Sequence, residues 1–211
     1  MDEAWRKLAS IPPETAALLT GAGLGIPGQV ALEYFGRTVR ISWPVQGREG
    51  APGRMESLFP LTGADQVVLL HYLAASPSDS ASRPETDWIS FRQLWGGAVY
   101  WDAFQRRVIA PLVALFGSDP DLLHEACREV FGQATREAGF GTASTIVQAL
   151  PNVALAYVLW AGDSEVPPSG TVLFAGRAND WLPTEDLVHL ACVPVQAWKS
   201  FVLRREREQR P

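Results

Sequence analysis

The stretch "STIVQALPNVALAYVLWAGDSEVPPSGTVLFAG", Ser144 to Gly176, decides the fold class. Upstream of it the apolar residues recur at helical spacing, as in Phe104, Val108, Leu112 and Leu115. From residue 143 the period changes. Three short apolar runs, "STIVQAL", "NVALAYVLWAG" and "GTVLFAG", are divided by Pro151-Asn152 and by "DSEVPPSG", and so predict three consecutive strands. A second pair precedes them. Val30, Leu32 and Tyr34 alternate in "QVALEYFG", Val39, Ile41 and Trp43 alternate in "RTVRISWP", and Gly36-Arg37 lies at the turn.

Helical segments fill the intervals. Residues 3–20 predict a helix broken or restarted at "PPE", Pro12 to Glu14, and residues 63–75 a second. "WDAFQRRVIAPLVALFG" predicts a helix kinked at Pro111. "SDPDLLHEACREVFG" predicts another, with Asp119 as N-cap, Pro120 in the first turn and Gly132 at its stop. A last helix opens at "WLPTEDLVHLA" and is interrupted at Pro194. Val45–Arg54 and Ser76–Asp87 are expected loops. Strands and helices are segregated, so the expected class is α+β. One antiparallel sheet is expected from residues 29–44 and 143–175, with helices packed mainly on one face.

A chain of 211 residues, 47% hydrophobic and 19% charged, suits a single globular domain spanning residues 1–211. The net charge of -5 argues against nucleic acid as a partner. The basic tail "RREREQR" alternates in sign, as a solvated helix end does. "MDEAWRKLAS" lacks the apolar core of a secretion signal, and no run approaches the ~18 apolar residues of a membrane span. Two cysteines make no disulfide framework, so a reducing cytoplasm is the expected setting.

Both cysteines and two of the three histidines fall in a repeated pattern, "HEAC" (His124–Cys127) and "HLAC" (His189–Cys192). His and Cys three apart share a helix face, and two such pairs number the four ligands of zinc. Helical phase argues the other way. Cys127 shares an apolar face with Leu123, Ala126 and Val130. His189 lies nearly opposite Leu187, Leu190 and Ala191 and is expected to face solvent. No metal is therefore expected there. Gly23, Gly25 and Gly28 spell a dinucleotide-binding pattern, but a helix precedes them and a strand follows, the reverse of what that motif needs. A helix C-cap and a turn account for the glycines. His71, beside Leu69, Leu70 and Leu73, is expected to be a satisfied core or rim residue.

Two constellations carry more chemistry. Asp163 and Glu165 follow an apolar strand, and Asp180, Glu185 and Asp186 precede a helix. Carboxylates so placed serve as acid and base or as ligands of Mg²⁺ or Ca²⁺, making Asp163, Glu165, Glu185 and Asp186 the catalytic candidates. A hairpin between residues 153 and 175 would set the two groups at opposite ends, and turn formation and helix-dipole compensation also account for each acid. The second constellation is aromatic: Trp88, Trp95, Tyr100, Trp101 and Trp160, with Arg92, Arg106, Arg107 and Trp181 near. Trp88, Trp95, Tyr100, Trp101, Arg106 and Trp160 are the candidate contacts of a small planar ligand, against the plainer role of filling a core.

"WISFRQLWGGAVYWDAFQRRVIAPLVALFG", "LPNVALAYVLWAGDSEVPPSGTVLFAGRANDWLPTEDLVHLA" and "FPLTGADQVVLLHYLAAS" resemble the prokaryotic family known as domain of unknown function 3786. The resemblance covers most of residues 59–192. It rests on Trp-x-Gly-Asp-x-Glu-x-Pro-Pro at 160–168 and Leu-Pro-Thr-Glu-Asp at 182–186, in that order. It implies an anaerobic setting and a link to corrinoid or iron–sulfur proteins, some relatives carrying a cysteine-rich cluster segment. This chain shows no such segment and is expected not to hold a cluster alone. Three functions stand as expectations. One is a ligand-binding or accessory protein of anaerobic corrinoid, one-carbon or iron–sulfur metabolism, its pocket formed by Trp88–Arg107 against residues 160–168. Another is a carboxylate-based, metal-assisted hydrolase or transferase. The third is an interaction subunit with a protein partner. No cofactor is identified by the residues.

Overall fold

The computed structural model describes residues 1–43, 53–76, 87–132 and 135–208. The expected loops at 45–54 and 76–87 lie largely outside the described residues. The chain opens with α1 (Asp2–Ala9) and α2 (Pro13–Thr20), divided at Pro12 as "PPE" requires. Gly21 caps α2 at φ 74° in the left-handed region, and β1 (Gly23–Leu24) follows.

Next come β2 (Gln29–Tyr34) and β3 (Arg37–Ser42), an antiparallel hairpin joined by Phe35 and Gly36. Both turn residues have positive φ, 51° and 72°, as a two-residue turn matching strand twist demands. A phenylalanine there is strained, and only its surroundings hold it. Phe35 is buried, and its N–H donates to the Ala149 carbonyl at 2.9 Å. Val30, Leu32, Val39 and Ile41 are fully buried on one face of the hairpin, each contributing about 1.5–3 kcal/mol. β4 (Arg54–Ser57) pairs with β3 and completes a four-stranded meander, β1-β2-β3-β4.

α3 (Gly63–Leu73) starts on a capping box: Thr62 Oγ1 accepts from the Asp65 N–H, and Asp65 accepts from the Thr62 N–H. β5 (Trp88–Ser90) then leads into α4 (Gly97–Phe104), a π-helical turn at Gln105–Ile109, and α5 (Ala110–Phe116). The π turn ends two residues before Pro111. Widening the helix there relieves the clash of the proline ring with the carbonyl one turn back. α6 (Asp121–Phe131) has no side-chain cap, so Asp119 does not play the expected role. Its carbonyl, accepting from the Leu122 N–H, serves instead.

β6 (Thr135–Glu137), β7 (Ala143–Leu150), β8 (Val153–Trp160) and β9 (Ser169–Ala175) form a second antiparallel sheet with β5, in the order β5-β9-β8-β7-β6. The α+β class stands, with two sheets where one was expected. The hairpin turn at Phe35 meets the end of β7 through a backbone hydrogen bond rather than extending the larger sheet. After the short α7 (Ala178–Trp181), α8 runs unbroken from Thr184 to Glu208. Pro194 therefore does not interrupt it. A helix-interior proline costs about 3 kcal/mol, but Pro194 is buried between Ala191, Val195 and Trp198, which hold that face of α8 to the core.

One main core extends from Ala4 to Phe201 and takes the inward side chains of both sheets. Leu155, Tyr157 and Leu159 belong to it, whereas Ala154, Ala156 and Ile146 form a small separate cluster with Trp88 and Leu173. The helices thus cover chiefly one face of the five-stranded sheet. Trp198 of α8 is its centre, edge-on to Tyr157 at 4.7 Å, Phe116 at 5.8 Å and Phe131 at 6.0 Å between ring centroids.

Candidate functional site

His189 does not face solvent. Phase along α8 correctly turns Leu187, Leu190 and Ala191 toward the core, but α3 and the β2–β3 hairpin cover a second side of the helix. There His189 Nε2 lies 2.8 Å from Asp65 Oδ1. Asp65 also accepts from the Tyr34 hydroxyl at 2.6 Å, the Thr62 hydroxyl at 2.6 Å and the Thr62 N–H at 2.7 Å. Burial alone would push its carboxyl up, but the bonds from His189, Thr62 and Tyr34 outweigh it and hold Asp65 well below the usual carboxylate range. Asp65 is therefore ionised and can only accept, which fixes the proton of His189 on Nε2. Burial, then Asp65, drive the Tyr34 phenol far above its ordinary range, so it remains a donor.

These groups line a pocket of about 320 Å³. Its floor is the hairpin turn with Tyr34, Phe35 and Arg37, and one wall is Phe59 to Asp65. The end of α6, Val130 and Phe131, closes the next side. The last side is a stripe of α8, His189, Val193, Gln196 and Ser200, at the spacing of one helix face. The Arg37 guanidinium lies 5.4 Å from the Phe59 ring centroid and donates once, to the Val130 carbonyl at 3.4 Å. His189 Nδ1 makes no hydrogen bond among the described residues.

A second His–Asp pair joins the same two helices. His71 Nδ1 of α3 lies 2.6 Å from Asp186 Oδ2 of α8. His71 is thus the satisfied rim residue expected of it. Burial pushes the Asp186 carboxyl up, and the bond with His71 offsets only part of that. Its neighbour Glu185 is exposed and accepts from the Tyr100 hydroxyl at 2.7 Å. Asp163 accepts from the Glu165 and Val166 N–H groups at 2.8 Å, which hold its carboxyl below its ordinary range in a solvent-facing turn. Asp163 and Glu165 precede β9 while Glu185 and Asp186 follow it. The seven-residue strand, its own ends roughly 20 Å apart, and the short α7 lie between the two groups along the chain. Asp180 pairs locally with Arg177.

The aromatic candidates disperse as well. Trp88 sits opposite Ala175 and Trp160 opposite Ser169, at opposite ends of β9. Trp95 is 85% exposed, and Tyr100, Arg106 and Trp160 are exposed too. Trp101 packs against Phe91 with Arg92 over its ring at 4.3 Å. Of the tetrads, Cys127 is buried in α6 as expected, and burial pushes its thiol up to about 12 despite a hydrogen bond with Thr145. His124 and Cys127 line a separate cavity of about 430 Å³ whose other walls are mostly charged or polar, including Asp121, Arg128 and Glu137. Among the described residues no group of three or more His, Cys, Asp or Glu is placed to hold a metal ion. No helix among them is long and apolar enough to cross a membrane.

The fold and its pocket define an α+β protein with an aromatic-walled cavity and a carboxylate-oriented histidine. Residues 12–197 match the family described as a domain of unknown function (DUF3786), and the chain belongs to that family. The match reaches well before residue 59 and so includes the hairpin that floors the pocket. No curated protein and no solved structure matches the chain.

Sequence reasoning missed Asp65, Arg37, Phe59 and Phe131 as site residues. The one available signal was "TGAD", Thr62 to Asp65, a capping box whose carboxylate has acceptor capacity to spare.

Proposed function

We propose that the chain is a ligand-binding protein whose site is the pocket between the β2–β3 hairpin and α8. The carrying observation is the His189 imidazole, held by a four-times-bonded Asp65 in the wall of a mainly apolar cavity. Few, fixed polar groups among apolar walls are what small-molecule sites have. The strained turn at Phe35 fits the same reading, since strain persists where a site requires it. The role is that of an accessory protein in cytoplasmic, prokaryotic metabolism. The anaerobic corrinoid, one-carbon or iron–sulfur setting rests on the family resemblance.

The dyad also favours a second reading, acid–base chemistry at His189 Nδ1, because a carboxylate that fixes the tautomer is how a general base is oriented. Dispersal of the four candidate carboxylates weighs against a metal-assisted hydrolase. The test of the binding reading is ligand-observed NMR with small aromatic fragments. Ser200→Trp, an exposed change at the pocket wall, is expected to abolish binding of the fragments that the unaltered chain takes. Fragments that bind both proteins equally would refute the site.

A further inference from the structure

The pocket's polar groups are unbalanced in a way that names its ligand. The one carboxylate in its wall, Asp65, has both oxygens engaged, Oδ1 by Tyr34 and His189 and Oδ2 twice by Thr62. What remains is one cation, Arg37, with neutral polar groups, the Gln196 amide and the Ser200 hydroxyl, and one ring nitrogen, and among the described residues no second carboxylate lines the cavity. Arg37 uses one N–H on a backbone carbonyl, leaving the rest of its fork unpaired, and makes no ion pair among the described residues. The Gln196 amide has no hydrogen-bond partner among them, and His189 Nδ1 is free. The rings of Phe35, Phe59 and Phe131 line the same cavity. An apolar body fits against the rings, and an acceptor-rich head fits against Arg37.

We infer that the pocket takes an aromatic or similarly bulky apolar monocarboxylate, with its acid head on the Arg37 guanidinium and its body between Phe59 and Phe131. This rests on the proposed pocket and goes further by fixing the ligand class. Arg37 is suited to the task because its guanidinium already lies over the Phe59 ring, which restricts the side chain and orients the fork. A cavity of about 320 Å³ is at the small end for ligand sites, matching a single ring and its acid rather than a nucleotide. Charge points the same way. Asp65 lines the same cavity as Arg37, which favours one negative charge over two.

The experiment is isothermal titration of the full chain with four probes that share one body: phenylacetate, 2-phenylethanol, 2-phenylethylamine and phenyl phosphate. Phenylacetate is expected to bind about tenfold or more tighter than the alcohol or the amine, the gain of one charge-assisted fork. Arg37→Gln should remove that preference, bringing phenylacetate to about the alcohol's affinity for the same variant, and Arg37→Lys should recover part of it. If the alcohol or amine binds as well as phenylacetate, and Ser200→Trp still abolishes binding, the pocket stands and the carboxylate inference falls. Tighter binding of phenyl phosphate also overturns the inference. If none of the four binds, both fall.

Discussion

Replacing Asp65 with Asn keeps the side chain's shape and removes its charge. In the folded chain four donors converge on this carboxylate, which is 9% exposed. An amide has one oxygen, which can stay with the two Thr62 donors of the capping box. Its NH₂ then meets the Tyr34 hydroxyl and His189 Nε2, which can accept from it only if the hydroxyl turns and the imidazole proton moves to Nδ1. Two hydrogen bonds to a charged group are lost, at about 1.5–3 kcal/mol each. His189 is 27% exposed and regains water, which brings the net cost to about 3 kcal/mol. For a chain of this length that lowers Tm by roughly 6–12 °C. The pH dependence is the sharper test. Asp65 is held below its unfolded value near 3.9, so its contribution is complete above about pH 5 and is lost as pH falls below 4. Asn does not titrate. In urea unfolding at fixed temperature, the gap between the two proteins should be largest at pH 6–7 and should shrink toward pH 3. Asp186, whose carboxyl is raised, is common to both and cancels. A gap that stays constant from pH 7 to pH 3 would refute the ionised hub.

Three further outcomes follow from the packing. Gly97→Ala places a Cβ 1.9 Å from the Phe91 carbonyl oxygen, a backbone atom that cannot step aside, so urea unfolding should show a loss of about 2 kcal/mol or more. Trp198→Phe removes an indole N–H that has no partner among the described residues and also leaves a small void. These offset, and thermal unfolding should show a cost below about 1.5 kcal/mol, well short of the ~3–5 of a buried aromatic cut to Ala. The Cys127 thiol, pushed up to about 12, should resist Ellman's reagent at pH 8 in the folded chain and react fully in urea. Prompt modification of two thiols per folded chain would contradict that burial.

Much of the architecture could be read from alternation. Val30, Leu32, Tyr34, Val39 and Ile41 point inward as their spacing predicts, and the apolar runs from 143 to 175 are the three central strands of the larger sheet. The short edge strands at Arg54–Ser57, Trp88–Ser90 and Thr135–Glu137 were not legible, because three or four residues give no period. Nor was the division into two sheets, which depends on where the Phe35 turn docks. The site was the least legible part. Asp65 and His189 are 124 residues apart, and each has a plausible local role, one as a helix cap and the other as a polar position on a helix. Periodicity reports which face of α8 meets the sheet. It cannot report that α3 and a hairpin cover the opposite face. The carboxylates at 163, 165, 185 and 186 attracted notice because they are close in sequence, and β9 then separates them.

The pocket itself is tested most directly on the imidazoles, since the chain has only three histidines. Protein labelled with ¹⁵N-histidine would be titrated with phenylacetate and with 2-phenylethanol while the ring nitrogen signals are followed. The account predicts a saturable shift at His189, with His124, which lines a different cavity, unmoved. A His189 signal that stays in place while His124 shifts, or no shift at any of the three up to millimolar probe, would contradict it.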